Sequence, residues 1–189
     1  CGIEKCRYIM QNTSLPVICL TKSIFEDGFV RITGSFAEVE ALLKINATFI
    51  AVDGTYRIRE KQYTGPDYIK KIKKMYPKIL VMADIATSQE AFACYEAGAD
   101  CISTTLCGYT PDTVFVNQEY PSFSLLEECI KFVPRDFPIM AEGRFNKPEY
   151  AAQAIENGAW AVIVGTSITR PQIITRWYVN AIKKKVGQI

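Results

Sequence analysis

The chain has 189 residues, 49% of them hydrophobic and 22% charged, with no histidine and a formal net charge of +2. That balance supports one domain with a substantial core and excludes disordered and collagen-like chains. It also argues against a nucleic-acid surface, because the lysine-rich pieces Lys70 to Lys74 and Lys183 to Lys185 fall on amphipathic helical patterns and read as solvated faces.

In chain order, residues 3 to 12 read as a helix, followed by a short apolar run at Val17–Leu20. Further runs recur at Phe49–Val52, Ile79–Ala83, Cys101–Thr104, Pro138–Ala141 and Ala161–Val164. Each is almost continuously apolar rather than alternating, which suits strands buried on both faces of a parallel sheet. Helical patterns lie between them. Ser35 to Glu38, Thr87 to Glu90 and Ser124 to Glu127 have the spacing of capping boxes, in which a hydroxyl and a carboxylate satisfy exposed backbone N–H groups reciprocally. Asn146, followed by Pro148 and Glu149, is a start signal of the same kind. Gly98 and Gly158 stand where helices are expected to end, and the last helix is expected from Gln172 to about Lys185.

The repeat is a strand–helix unit of about thirty residues, and six such units without a mid-chain linker indicate an α/β fold with a parallel sheet. A doubly wound sheet or a (β/α)8 TIM barrel satisfies this pattern. A dinucleotide-binding doubly wound sheet predicts a G-x-G-x-x-G turn after an early strand, and none occurs. A barrel predicts a phosphate site in the loops after its last two strands. Glu142-Gly143-Arg144 and Gly165-Thr166-Ser167 occupy those places. On the barrel reading, residues 1–189 form a single domain of the phosphate-binding type with six units visible. The first two strands are then expected to precede Cys1, in keeping with a chain that does not open on methionine.

The seven cysteines are an odd number and form no close C-x-x-C pair, so reduced thiols in the cytoplasm are the simplest reading. No apolar run reaches the roughly twenty residues of a membrane span, and the chain opens on no signal segment.

Chemistry in a barrel gathers at the C-terminal ends of the strands. There the sequence places Lys22, Asp53, Asp84, Thr104, Thr105, Glu142, Gly165 and Thr166, with Arg144 and Arg170 close behind. Singly, each has an ordinary explanation: a lysine at a strand end is usually solvated, Asp53 or Asp84 can cap a turn, and an arginine can pair with an acidic neighbour. Together they place a lysine, carboxylates and arginines at one mouth. Carboxylate and lysine beside a phosphate anchor suit proton abstraction next to a carbonyl.

The segments "LPVICLTK", "FIAVDGTYR", "VMADIATSQEA", "AGADCISTTLCGYT", "PIMAEGRFNKPEYA" and "AVIVGTSITRPQIIT" resemble, in order, the N-acetylmannosamine-6-phosphate 2-epimerase family. The resemblance implies a (β/α)8 barrel that interconverts N-acetylmannosamine 6-phosphate and N-acetylglucosamine 6-phosphate in sialic acid and amino-sugar catabolism, with no metal and no other cofactor. It implies Lys22 and Glu142 as catalytic residues, and Asp84 and Arg170, with the neighbouring Thr104 and Thr105, as sugar-binding. It implies Gly143, Arg144, Gly165 and Thr166 as the phosphate cradle. Members run longer at the N-terminus and draw a glutamine and an arginine from that segment, for which this chain offers no match. Cys107 stands where serine is commoner. The family also points to homodimers, and the apolar stripe Ile173, Ile174, Trp177, Tyr178, Ala181 and Ile182 makes the terminal helix the expected interface. Two other functions suit the same residues: another phosphate-binding barrel, such as a synthase or a Schiff-base lyase, and a non-catalytic sugar-phosphate-binding protein.

Overall fold

A computed structural model describes residues 2–116 and 119–186. The first helix, α1 (Ile3–Gln11), leads through a short extended segment into an antiparallel hairpin of β1 (Lys22–Ile24) and β2 (Val30–Ile32). Strands and helices then alternate: α2 (Phe36–Lys44), β3 (Phe49–Asp53), α3 (Gly65–Met75), β4 (Leu80–Asp84), α4 (Ser88–Glu96), β5 (Cys101–Ser103), α5 (Phe123–Phe132), β6 (Ile139–Glu142), α6 (Pro148–Glu156) and β7 (Ala161–Ile163). A single turn, α7 (Thr166–Thr169), and a long helix, α8 (Pro171–Val186), close the described chain.

The sheet runs β3-β4-β5-β6-β7, every neighbour parallel. The run expected at Val17–Leu20 contributes only a one-residue bridge, Cys19 against Ile50, held by Cys19 N–H to Phe49 O and Ala51 N–H to Cys19 O at 2.9 Å each.

Strand parity decides between the two parallel architectures. Ile50, Val52, Val81, Ala83, Ile102, Ile139 and Ala141 share one core with helical residues such as Val39, Leu42, Tyr68, Ile72, Leu126 and Ala154. The alternate residues Ala51, Met82, Cys101 and Met140 form a second cluster with Ile32 and Leu106, and with partly buried Ile18, Leu20, Ala161 and Ile163. Among the described residues no helical residue enters that second cluster. Helices therefore cover one face of the sheet and the other face packs on itself, as in a TIM-barrel wall rather than a doubly wound sheet. Both faces are apolar, which is why the strands read as continuous runs.

The local signals were mostly realised. Ser35 with Glu38 and Thr87 with Glu90 form complete capping boxes. Gly98 and Gly158 take φ of +92° and +99° just past α4 and α6, the left-handed turn that a side chain would strain. Two start signals are corrected. α5 begins before Ser124, with Ser122 at its N-cap and no side-chain cap, because the Phe123 ring packs edge-on against Tyr150 at 6.0 Å and draws that residue into the helix. At α6 the N-cap is Lys147, and Asn146 spends its amide on the Glu119 carbonyl at 3.0 Å.

Candidate active site

The two-residue period of a strand fixes where the end residues point. Asp53 follows Ala51, Asp84 follows Met82, Ser103 follows Cys101 and Glu142 follows Met140, so all four continue the inner face at the C-terminal ends of their strands. Lys22 continues the same parity after Ile18 and Leu20.

A cavity of about 960 Å³ opens at this end. Lys22, Thr105, Glu142, Gly143, Arg144, Gly165, Thr166 and Arg170, eight residues marked from the sequence, all line it. Asp84 and Thr104 lie behind its wall. One end is built from the turns after β6 and β7. Gly143 has φ +107° and Arg144 has φ +61°, two consecutive left-handed residues that bend the chain sharply off β6. The Arg144 guanidinium is fixed in place: Nε donates to Tyr120 O at 3.1 Å, Nη2 to Cys107 O at 2.9 Å, and the group lies 5.4 Å from the Tyr109 ring centre. The β7 turn is tied to the β6 loop by Ser167 Oγ donating to Phe145 O at 2.7 Å.

Lys22 enters from the opposite wall, on the hairpin. Its position is set by neighbours on both sides. Thr33 N–H donates to Thr21 O at 3.0 Å, and Thr21 Oγ1 donates to Glu38 Oε1 at 2.7 Å, so the residue before Lys22 is bound to the N-terminal turn of α2. Across the hairpin Arg31 pairs with Asp27 at 2.6 Å and lies over the Phe25 ring. Gly28, Phe29, Val30 and Ile32 complete this wall.

The polar groups behind the cavity hold Glu142. Thr104 Oγ1 accepts the Glu142 N–H and donates to the Glu142 carbonyl, both at 3.0 Å, clamping its main chain. Ser103 Oγ donates to Glu142 Oε2 at 2.8 Å. Asp84 is 2% exposed and its Oδ1 has no partner among the described residues. Burial, reinforced by the nearby charges of Glu142 and Asp53, pushes the Asp84 carboxyl well above the usual carboxylate range against the opposing pull of Lys22 and Ser103. Asp53, by contrast, is paired with two arginines. Arg57 reaches its Oδ2 at 2.5 Å and Arg59 its Oδ1 at 3.3 Å, while Thr55 donates N–H and Oγ1 to it at 3.0 and 2.6 Å. The turn-capping role open to Asp53 is thus realised.

Among the described residues no group of three His, Cys, Asp or Glu side chains is placed to hold a metal ion. Cys6, Cys19, Cys94, Cys101, Cys107 and Cys129 are free and buried, and no described helix is long and apolar enough to cross a membrane. Sequence reasoning missed three contributors: the hairpin, Ser103 and Tyr109. The hairpin's one cue is Gly28 in a polar turn between short apolar pieces, and Ser103 is marked only by sharing a strand row with Asp84.

A sequence model of the family described as "Putative N-acetylmannosamine-6-phosphate epimerase" matches residues 1–184. A protein of Caldanaerobacter subterraneus subsp. tengcongensis named "Putative N-acetylmannosamine-6-phosphate 2-epimerase" is 42% identical over 184 residues, which cover 97% of this chain and 76% of that one. A protein of the same name from Clostridioides difficile is 41% identical over 182 residues, covering 96% and 79%. The solved N-acetylmannosamine-6-phosphate 2-epimerase of Clostridium perfringens superposes with a TM-score of 0.84 at 36% identity, covering 95% of this chain and 76% of that chain.

Proposed function

The chain belongs to the N-acetylmannosamine-6-phosphate epimerase family and is an isomerase of that amino-sugar phosphate, and we propose that the cavity between Lys22 and Arg144 is where it acts. The product is the C2 epimer, N-acetylglucosamine 6-phosphate. The observation that carries the assignment of the site is that Lys22 and Glu142 line one cavity with the two turns bearing Gly143, Arg144, Gly165 and Thr166.

The substrate phosphate sits at the turns after β6 and β7, against Arg144 and the backbone around Gly165 and Thr166. The sugar then extends toward Lys22 and Glu142, with Arg170 and Thr105 on its flanks. Asp84 and Thr104 support the sugar end from behind the wall. The C2 hydrogen is acidic only when C1 is an aldehyde, so the reactive form is the ring-opened sugar. Lys22 removes the C2 proton and leaves an enolate, whose charge the guanidinium of Arg170 offsets. Glu142 serves ring opening or proton return, and a proton delivered to the opposite face inverts C2. Binding energy from the distant phosphate holds C2 against the base, as truncated substrates reveal by losing turnover.

Residues 1–189 act as one domain on this reading, in sialic acid and amino-sugar catabolism in the cytoplasm, which the free, buried cysteines support. The exposed apolar residues of α8 support a homodimer. The deciding experiment is nuclear magnetic resonance of N-acetylmannosamine 6-phosphate in deuterated water with the purified chain. Formation of the C2 epimer with deuterium at C2 is expected, and no C2 exchange in either sugar overturns the assignment.

A further inference from the structure

Thr33 has a left-handed backbone, φ +44°, although it is β-branched and fully buried. A side chain of that shape crowds its own backbone there, so the conformation persists only where the surroundings impose it. Glycine takes such a turn without strain, and the chain has one at the next position. Gly34 is committed to a different task, since a Cβ there would stand 2.8 Å from the Phe25 ring and 2.8 Å from the Arg31 Cβ. The turn that carries the chain from β2 to the α2 N-cap at Ser35 therefore falls on Thr33.

The hydrogen bonds show what a threonine supplies at this point. Lys22 pairs with Ile32 across the hairpin, so Thr21 and Thr33 make the next step of the ladder. In an antiparallel ladder a hydrogen-bonded pair exchanges two main-chain bonds. Thr33 N–H donates to Thr21 O at 3.0 Å, but the returning bond runs from Thr21 N–H to Thr33 Oγ1 at 3.2 Å. The hydroxyl thus stands in for the carbonyl that a strand residue would present. Thr21 Oγ1 donates in turn to Glu38 Oε1 at 2.7 Å, and the Glu38 carboxylate is fixed by Ser35 N–H and Ser35 Oγ, each at 3.0 Å. The N–H, the carbonyl and the hydroxyl of Thr21 are all held by the segment from 33 to 38.

We infer that Thr33 is a positioning residue of the epimerase site, whose hydroxyl completes the clamp on Thr21 and so fixes the main chain from which Lys22 enters the cavity. The inference rests on the epimerase reading of that cavity. Lys22 opens a strand of three residues and its side chain is exposed, while the extended segment before it meets the sheet by the one-residue bridge of Cys19. Neighbouring side chains therefore do little to orient the lysine, and the clamp on its main chain does more. A small displacement of the base from C2 costs far more rate than affinity, because the phosphate is held elsewhere, at the turns after β6 and β7. Thr33 itself is not among the residues that line the cavity, so its loss touches turnover through Lys22.

The test compares Thr33→Val, Thr33→Gly and Thr33→Ser with the wild type on N-acetylmannosamine 6-phosphate, reading kcat and KM well below the melting temperature of each. Thr33→Val keeps the shape and loses the acceptor, whereas Thr33→Gly loses the acceptor and also relieves the left-handed strain. Both are expected to lower kcat about 10-fold to 100-fold with KM within about threefold. Thr33→Ser keeps the hydroxyl and is expected to recover most of that kcat. Three results overturn the inference: wild-type kcat in Thr33→Gly, a loss carried by KM instead, or Thr33→Ser as slow as Thr33→Gly although it melts like the wild type. Should Thr33→Val fail to fold, the comparison of Thr33→Gly with Thr33→Ser decides the same question. Failure of the epimerase reading is distinguishable, because then the wild type itself turns over no substrate.

Discussion

Asp53 and Asp84 stand directly opposite one another at the ends of β3 and β4, yet Asp53 is held by two arginines while Asp84 Oδ1 has no partner among the described residues. Two adjacent buried carboxyls of one sheet therefore have different partners, one ion-paired and the other with an unpartnered oxygen. For Asp84, whose folded carboxyl is pushed up by burial, the linkage sign is fixed. In the unfolded chain it loses its proton near pH 3.9, whereas in the native protein it keeps the proton to higher pH. Between those points the native state binds more protons, so this group's contribution to stability is complete below about pH 3.9 and declines as pH rises, by at most about 1.4 kcal/mol per pH unit. Asp84→Asn removes the titration and keeps the shape. Urea midpoints compared from about pH 4 to pH 7 are expected to show the variant gaining on the wild type as pH rises. A gap that moves the other way shows Asp84 ionised in the native protein.

The partner in that row behaves differently. Asp53→Ala leaves the guanidinium of Arg59, whose side chain is fully buried, without its carboxylate. Breaking a buried pair from one side costs about 3–5 kcal/mol, because the remaining charge is uncompensated. Chemical denaturation is expected to show a loss of that size, and a loss under about 1 kcal/mol shows that Arg59 finds full compensation elsewhere, for instance at the Asp53 and Thr55 carbonyls it already meets.

Lys22→Ala tests the base. Its role belongs to the transition state, so turnover and C2 deuterium exchange are expected to vanish together while binding of the phosphorylated sugar stays within about tenfold. Near-normal exchange in the variant removes Lys22 from the chemistry, and a large loss of binding with residual turnover assigns it to substrate contact instead.

The barrel and most of the mouth were legible in the sequence because buried parallel strands leave unbroken apolar runs, and a polar residue ending such a run has few reasons to be there. Lys22 and Glu142 stood out on that ground. What the runs do not encode is which parity faces the helices, since both faces of β3 to β6 are apolar. Ser103 was invisible for the same reason: in "CIST" a serine reads as a small core residue, and its meaning comes from Asp84 on one neighbouring strand and Glu142 on the other. Thr104 was marked at the correct strand end, but the structure commits its hydroxyl to the main chain of Glu142, a pairing set by the strand register. The hairpin escaped because its strands are three residues each, too short for an alternating pattern to register.

Arg144→Ala tests the phosphate end. The guanidinium is already oriented by Tyr120, Cys107 and Tyr109, so its contribution to an incoming phosphate is a charge-assisted contact made without reordering the side chain. The variant is expected to bind the phosphorylated sugar at least about tenfold more weakly, with little change toward free N-acetylmannosamine. Equal losses for both sugars in calorimetry assign Arg144 to loop support.

Assembly is tested on α8. Ile174, Trp177, Tyr178 and Ala181 line an apolar groove against Phe145, Pro148 and Ala151, and Tyr178 is 70% exposed and Ile182 53%. A contiguous apolar face of this kind on a monomer is costly in water, and aromatic residues at its centre are the usual anchors of an interface. Trp177 also lines the cavity that holds Lys22 and Glu142, so substituting it would mix assembly with effects on that cavity. Tyr178 lines the groove and not that cavity, which makes Tyr178→Glu the cleaner variant. Sedimentation equilibrium at micromolar concentration is expected to give dimers for the wild type and monomers for Tyr178→Glu, since a buried glutamate without a partner opposes the contact from both copies of a twofold interface. A wild type that sediments as a monomer refutes the dimer, and a variant that remains dimeric moves the interface away from α8.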